Sequence, residues 1–287
     1  MSKLFKNKNV IITGATGGLG SSLAYAFTQL GANLLLIGRN QDKLQSLGEE
    51  LCSLRVIDQV IDTICMDFYS NDIEERIKSA FDKLSSIDVL INNAATHGPV
   101  GTFWENDFTS WENAYHVNFT IPFILMRMAV PKMMAINKGK IINVAGGGAT
   151  SSRPGFSSYA IAKTSLVRFT EIAADELRLY NIDVNIVSPG TMPTNLLKDI
   201  LNYSEEIVGK KEIDSVKKTI KEGGSMNKAK DLCVFLASDF SNGITGKLIS
   251  AVWDPWQNLE KYKEELLNSD IYTLRRIVPE DRNQKWE

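Results

Sequence analysis

Along most of the chain, short apolar runs alternate with longer stretches in which apolar residues recur every three or four positions. The runs are Val10–Ile12, Asn33–Ile37, Asp62–Met66, Val89–Ile91, Lys140–Val144, Asp183–Val187 and Leu248–Val252. Runs this short predict strands buried on both faces, and the helical stretches between them predict crossovers. Right-handed crossovers then build an α/β fold, a doubly wound parallel sheet of about seven strands with helices on both faces. No Pro/Gly-rich linker, internal repeat or low-complexity segment breaks the pattern, so residues 1–252 are predicted to form a single domain, regular from about Lys6 to Val252.

Two regions leave this rhythm. Thr191 to Gly224 is a long, charged connection, and inserts of that length without a strand commonly carry small helices and act as lids. Residues 253–287 form a C-terminal extension holding Trp253, Trp256, Tyr262, Tyr272 and Trp286, with a helical pattern from Gln257 to Asn268. Its aromatic content predicts an arm that packs on its own or a neighbouring subunit.

Composition narrows the function classes. The 287 residues are 44% hydrophobic and 23% charged, with a net charge of -2 and no extended basic run. That balance gives no electrostatic footprint for nucleic acid or an anionic membrane, and a small-molecule partner is expected instead. Cys52, Cys65 and Cys233 are odd in number and scattered, which argues against a disulfide framework and a zinc cluster. His97 and His116 lack ligand-like spacing, so no metal is expected. No signal-peptide pattern or membrane-length apolar run is seen, and a cytoplasmic location is the expectation.

Candidate chemistry is concentrated in three places. Thr13-Gly14-Ala15-Thr16-Gly17-Gly18-Leu19-Gly20 lies between the first predicted strand and an amphipathic run from Ser21 to Leu30. Glycines there permit a tight turn and let N–H groups at a helix N-terminus approach a pyrophosphate. The second predicted strand ends in Arg39 where NAD enzymes commonly place an acidic residue. An arginine there favours the phosphate of NADP(H), with NAD(H) as the alternative. Tyr159 and Lys163 stand four residues apart, one helical turn, which places a phenol and an ammonium on one face. A free tyrosine, with a pKa of about 10, is a poor base near neutral pH unless a positive charge favours its phenolate.

With Asn92-Asn93-Ala94-Ala95, Asn118 and Pro189-Gly190, these motifs stand in an order that resembles the short-chain dehydrogenase/reductase family over roughly residues 6–252. The resemblance implies a Rossmann-type fold and NAD(P)-dependent exchange between a carbonyl and a secondary alcohol. Tyr159 would be the general acid/base, Lys163 would lower its pKa and hold the nicotinamide ribose, and Asn118 would hold a water in a proton relay. Thr13, Gly14, Thr16, Gly18, Leu19 and Gly20 fall in the phosphate-binding turn, and Asp67 matches the carboxylate facing adenine. Asn93 and Ala94 would line the cofactor, and Pro189, Gly190, Met192 and Thr194 match the segment that packs on the nicotinamide. A homodimer or homotetramer is implied, with the C-terminal extension closing part of a pocket.

One position departs from the family. The serine that usually precedes the tyrosine by thirteen residues is Gly146, in the run Gly146-Gly147-Gly148. Losing one preorganised donor costs roughly 100- to 1000-fold in rate unless something replaces it. Backbone N–H groups of the three glycines are one replacement, and Thr150, Ser151 or Ser152 another. A third reading is that the three glycines open the pocket floor to a bulky or branched substrate, with Gly146, Gly147 and an aromatic such as Phe156, which could stack on a sugar ring, on the substrate side. A sugar or nucleotide-linked sugar is the first substrate class expected, and a 3-oxoacyl thioester or small ketone the second. The alternative is a catalytically impaired dinucleotide-binding homologue with a regulatory or structural role.

Overall fold

The computed structural model describes residues 4–56 and 58–286. Seven parallel strands form one sheet in the order β3-β2-β1-β4-β5-β6-β7. They are β1 (Asn9–Thr13), β2 (Asn33–Gly38), β3 (Ile61–Cys65), β4 (Val89–Asn92), β5 (Gly139–Val144), β6 (Ile182–Ser188) and β7 (Leu248–Ser250). The predicted α/β fold is therefore observed, with strand ends moved by one or two residues.

Alternate strand residues serve opposite faces of the sheet. Val10, Ile12, Leu34 and Leu36 face α1 (Gly18–Gln29), α2 (Gln41–Leu54) and, later in the chain, the helix Met226–Ala237. Ile11, Leu35, Ile37 and Leu90 face α3 (Ile73–Asp82), α5 (Ile121–Ala135) and the last turns of α6 (Ser157–Leu177). Both faces are covered, which explains why the strands read as unbroken apolar runs. A short helix, α4 (Phe108–Tyr115), runs into α5 through a π-helical turn at His116–Thr120. Strand order reverses between β1 and β4, so the crevice above their carboxyl ends is the expected ligand position for such a sheet.

Behind that crevice, buried polar side chains tie the central strands to α6. Asn92 donates to Asn143 Oδ1 at 2.8 Å, and Asn143 donates to Thr170 Oγ1 of α6 at 2.9 Å. These bonds bridge β4, β5 and the helix that carries Tyr159 and Lys163.

The connection after β6 folds into α7 (Asn195–Lys198), α8 (Glu205–Val208) and α9 (Lys210–Glu222), with a 3-10 turn at Asp199–Asn202. Its base is pinned by Ser225, whose hydroxyl lies 2.6 Å from Pro189 O and 2.9 Å from Thr191 O. The helix Met226–Ala237, α10, then returns to the sheet. After β7 the chain forms a 3-10 segment at Trp256–Tyr262 and α11 (Lys263–Leu267). Trp256, Leu259 and Leu266 are buried in the same core as α1 and α10. Further along, Tyr272 O accepts the N–H of Leu248 at 2.8 Å, and Leu274 N–H donates to Glu171 of α6 at 2.6 Å. Within this subunit the tail thus runs from α10 around the β7 edge to α6. No helix among the described residues is long and apolar enough to cross a membrane.

Candidate active site

A cavity of about 1440 Å³ opens above the carboxyl ends of β1, β4 and β5. It is lined at one end by the glycine loop, Arg39 and Asp67, and at the other by Tyr159, Lys163 and residues of the helices Asn195–Lys198, Glu205–Val208 and Lys210–Glu222. Of the residues singled out in the sequence, Gly14, Thr16, Gly18, Leu19, Arg39, Asp67, Asn93, Ala94, Gly146, Gly147, Phe156, Tyr159, Lys163, Pro189, Gly190, Met192 and Thr194 line this one space. Thr13, Gly20 and Asn118 stand behind it.

Those three have identifiable structural work. Thr13 Oγ1 accepts the N–H groups of Asn93 and Ala94 at 3.0 and 3.1 Å, joining the ends of β1 and β4. Gly20 leaves no room for a side chain, since a Cβ there would lie 2.1 Å from Gly14 O. Asn118 is fully buried in the π-helical turn and donates to Thr96 O and Ala114 O at 2.7 and 2.8 Å. Its side chain holds the stretch after β4 rather than reaching the cavity.

The phosphate end fits a dinucleotide. Gly17 caps α1 without a side-chain hydrogen bond, and no acidic residue lies in the first turn. The N–H groups of that turn thus keep their donors for an anion, with the helix dipole favouring negative charge. Arg39 is exposed at the end of β2, and Lys43 of α2, which the sequence reading missed, lines the same end of the cavity. Asp67 and Tyr69 lie opposite them, with Tyr69 N–H donating to Asp67 Oδ1 at 3.1 Å.

At the other end, Tyr159 and Lys163 share the buried face of the first turns of α6. Lys163 Nζ donates to Val144 O at 2.8 Å, and its ring-to-amine separation from Tyr159 is 5.7 Å. Burial brings the Lys163 ammonium down to about 7. The Tyr159 phenol is pushed up from its ordinary value by burial, and the charge that opposes this is the Arg153 guanidinium. In the protein alone desolvation acts on both groups, and Arg153 is the cation that opposes the rise at the phenol.

Arg153 and His97 are the functional candidates that sequence reasoning missed. The Arg153 guanidinium lies 3.8 Å from the Phe156 ring centre and 5.8 Å from that of Tyr159, and pairs with Glu212 of α9 at 2.5 Å. The His97 ring packs edge-on against Phe156 and Tyr159 at 5.5 and 5.2 Å. Burial first, then Arg153 and Lys163, hold His97 down at about 4, so the imidazole is neutral at physiological pH. Phe156 also packs with Ile200 of the 3-10 turn and Val216 of α9.

Gly146 resolves the departure from the family pattern. A Cβ at this position would lie 2.0 Å from the Tyr159 hydroxyl and 2.7 Å from Cζ. The room the missing side chain leaves is therefore taken by Tyr159, not held open for a bulky substrate. Among the described residues, no acceptor meets the N–H groups of Gly146, Gly147 and Gly148. No three His, Cys, Asp or Glu side chains of the described residues converge as metal ligands.

This arrangement matches known proteins. The family model for short chain dehydrogenase matches residues 8–204, and the chain belongs to that family of NAD(P)-dependent oxidoreductases. Human "Dehydrogenase/reductase SDR family member 4" is 28% identical over 246 residues, covering 85% of each chain. The 3-oxoacyl-(acyl-carrier-protein) reductase FabG of Rickettsia conorii is 29% identical over 244 residues, covering 84% of this chain and 94% of that protein. In fold, NAD+-bound xylitol dehydrogenase superposes with a TM-score of 0.75 at 24% identity, covering 86% and 98% of the two chains.

Proposed function

We propose that the protein is an NADP(H)-dependent oxidoreductase interconverting a carbonyl and a secondary alcohol, with Tyr159 as general acid/base. The observation that carries this reading is the pair of buried groups, Tyr159 and Lys163, at one end of a cavity whose other end is the uncapped N-terminus of α1. A nicotinamide held by Pro189 to Thr194 and Lys163 would supply the hydride in reduction and take it up in oxidation. Tyr159 gives its proton to the carbonyl oxygen in reduction and accepts it from the alcohol in oxidation. A phenol is protonated at neutral pH and burial pushes Tyr159 further in that direction, which suits the reducing direction. Lys163 holds the ribose and feeds the proton relay, and the unbonded amides of Gly146 to Gly148 stand in for the serine hydroxyl as donors.

Arg39 and Lys43, both cationic, with Arg39 where NAD enzymes commonly place an acidic residue, favour the phosphate of NADP(H) over NAD(H). Asp67 is assigned to the adenine, and Pro189 to Thr194 to the nicotinamide. The substrate is assigned as a polar carbonyl compound, with a sugar or nucleotide-linked sugar first. A 3-oxoacyl thioester, suggested by the FabG relative, is second. Assembly as a homodimer or homotetramer completes the reading, and sedimentation distinguishes the two.

The test is Tyr159→Phe. It should bind NADPH as the wild type does while losing turnover with a panel of sugars and ketones by at least about 100-fold. Equal turnover removes Tyr159 from the chemistry.

A further inference from the structure

Arg153 is a charge in the cavity that itself neither gives nor takes the transferred proton or hydride. Arg153 lies beside Tyr159, flat against Phe156, with 16% of its side chain exposed. Its backbone neighbours are Gly147 and Gly148; a Cβ on Gly147 would stand 3.5 Å from the guanidinium carbon. Stacking fixes the plane of an arginine while leaving its N–H edge free for bidentate binding of a carboxylate. In the protein alone Nη2 of that edge donates to Glu212 Oε1.

The two partners differ in how they are held. Arg153 belongs to the loop that follows β5 and is fixed by aromatic packing. Glu212 stands in the first turn of α9, is 29% exposed, and belongs to the lid segment whose base is the Ser225 clamp. A half-buried guanidinium needs an anion, because leaving one partner of such a pair unpaired is costly. Any molecule that enters between Arg153 and α9 must therefore either avoid the pair or supply its own carboxylate.

We propose that Arg153 reads a carboxylate carried by the carbonyl substrate, and that Glu212 occupies this place until such a substrate displaces it. The proposal rests on the reading of Tyr159 as the reacting pole, since Arg153 then sets the distance between the substrate's carboxylate and its carbonyl. The 5.8 Å from the guanidinium to the Tyr159 ring centre suits a carboxylate only a few bonds from the reacting carbon. A carboxylate is preferred over a phosphate because the group now held there is itself a carboxylate. Arg153 is thus a specificity-determining residue, and Glu212 an internal competitor that excludes neutral carbonyl compounds from this corner.

Calorimetry of the full chain saturated with NADP+ tests this, because a ketone cannot be reduced in that complex and binding is read without turnover. The probes are acetoacetate, levulinate and 5-oxohexanoate, each against its methyl ester, with dihydroxyacetone phosphate as the tetrahedral anion. At least one acid should bind about tenfold or more tightly than its ester. Arg153→Met should erase that preference while leaving NADP+ affinity intact, Arg153→Lys should keep part of it, and Glu212→Gln should strengthen the acid several-fold with the ester unchanged. The proposal is overturned if no acid exceeds its ester, if Arg153→Met keeps the preference, or if dihydroxyacetone phosphate outbinds every acid. It also fails if Glu212→Gln weakens acid and ester alike, as a purely structural latch would. A carboxylate preference without NADPH oxidation by any of these ketones supports Arg153 and removes the assigned reaction instead.

Discussion

Gly146→Ser restores the residue the family usually carries, and the structure predicts that it damages this protein. The new Cβ would stand 2.0 Å from the Tyr159 hydroxyl, and ordinary contact near 3.4 Å requires the hydroxyl to move by roughly 1.4 Å. The phenol is buried and packed edge-on against His97, so the ring cannot swing without disturbing its neighbours. Overpacking of this kind costs about 1–3 kcal/mol, and each kcal/mol lowers the Tm of a domain this size by roughly 2 °C. Displacing an acid/base group by more than about 1 Å costs on the order of 100-fold in rate. A vacant donor site gives the opposite sign, since a restored hydroxyl would raise the rate by roughly 100-fold or more. Thermal melts and kcat/KM of Gly146→Ser beside Gly146→Ala therefore separate the two. Wild-type stability with faster turnover of the serine variant would refute the claim that Tyr159 owns this space.

Three further outcomes are expected. Arg39→Ala and Lys43→Ala should each weaken NADPH by roughly 10- to 100-fold, the worth of a charge-assisted hydrogen bond, and leave NADH unchanged in fluorescence titrations; equal losses for both cofactors would end the NADP assignment. His97 titrates at about 4 in the fold against an ordinary value near 6.5, so the unfolded chain binds the extra proton in that window and stability falls as pH drops from about 6.5 to about 4. The loss is about 3 kcal/mol, and urea denaturation of His97→Phe should show a correspondingly shallower acid slope than the wild type. Trp256→Ala removes a buried side chain that packs on Phe235 and should cost about 3–5 kcal/mol in urea denaturation while NADPH affinity is retained; a change under about 1 kcal/mol would mean that the tail is not part of the core.

The fold was legible where one physical cause acts alone. Strands buried on both faces need apolar residues at every position, so Val10–Ile12 and Val89–Ile91 declared themselves without help from periodicity. Elsewhere competing causes blurred the reading. Gln257 to Asn268 reads as one helix, yet the chain forms a 3-10 segment to Tyr262 and only then a short α-helix. Trp256 and Leu259 are both buried at a spacing of three, which a 3-10 geometry aligns and an α-helix staggers. Tertiary burial selected the tighter winding. The π-helical turn at His116–Thr120 had no local signal either; there Asn118 turns inward to Thr96 O, and His116 Nε2 lies 2.9 Å from Phe68 O.

At the site, the division falls between contacts set by spacing and contacts set by the folding of one loop over another. The glycine loop and the Tyr159–Lys163 pair depend on neighbours within a turn or two, and both lie on the cavity wall. His97 meets Tyr159, and Arg153 meets Glu212, across large gaps in the chain, and nothing in their local sequence marks those contacts. Burial also acts on charge in a way spacing does not reveal. A phenol and an ammonium one turn apart suggest a cation that acidifies the phenol, but removing both from water raises the one and lowers the other. The cation that opposes the rise at the phenol is Arg153, which is paired with Glu212. If a substrate carboxylate replaces Glu212 as proposed, it meets the same guanidinium that opposes the effect of burial on Tyr159.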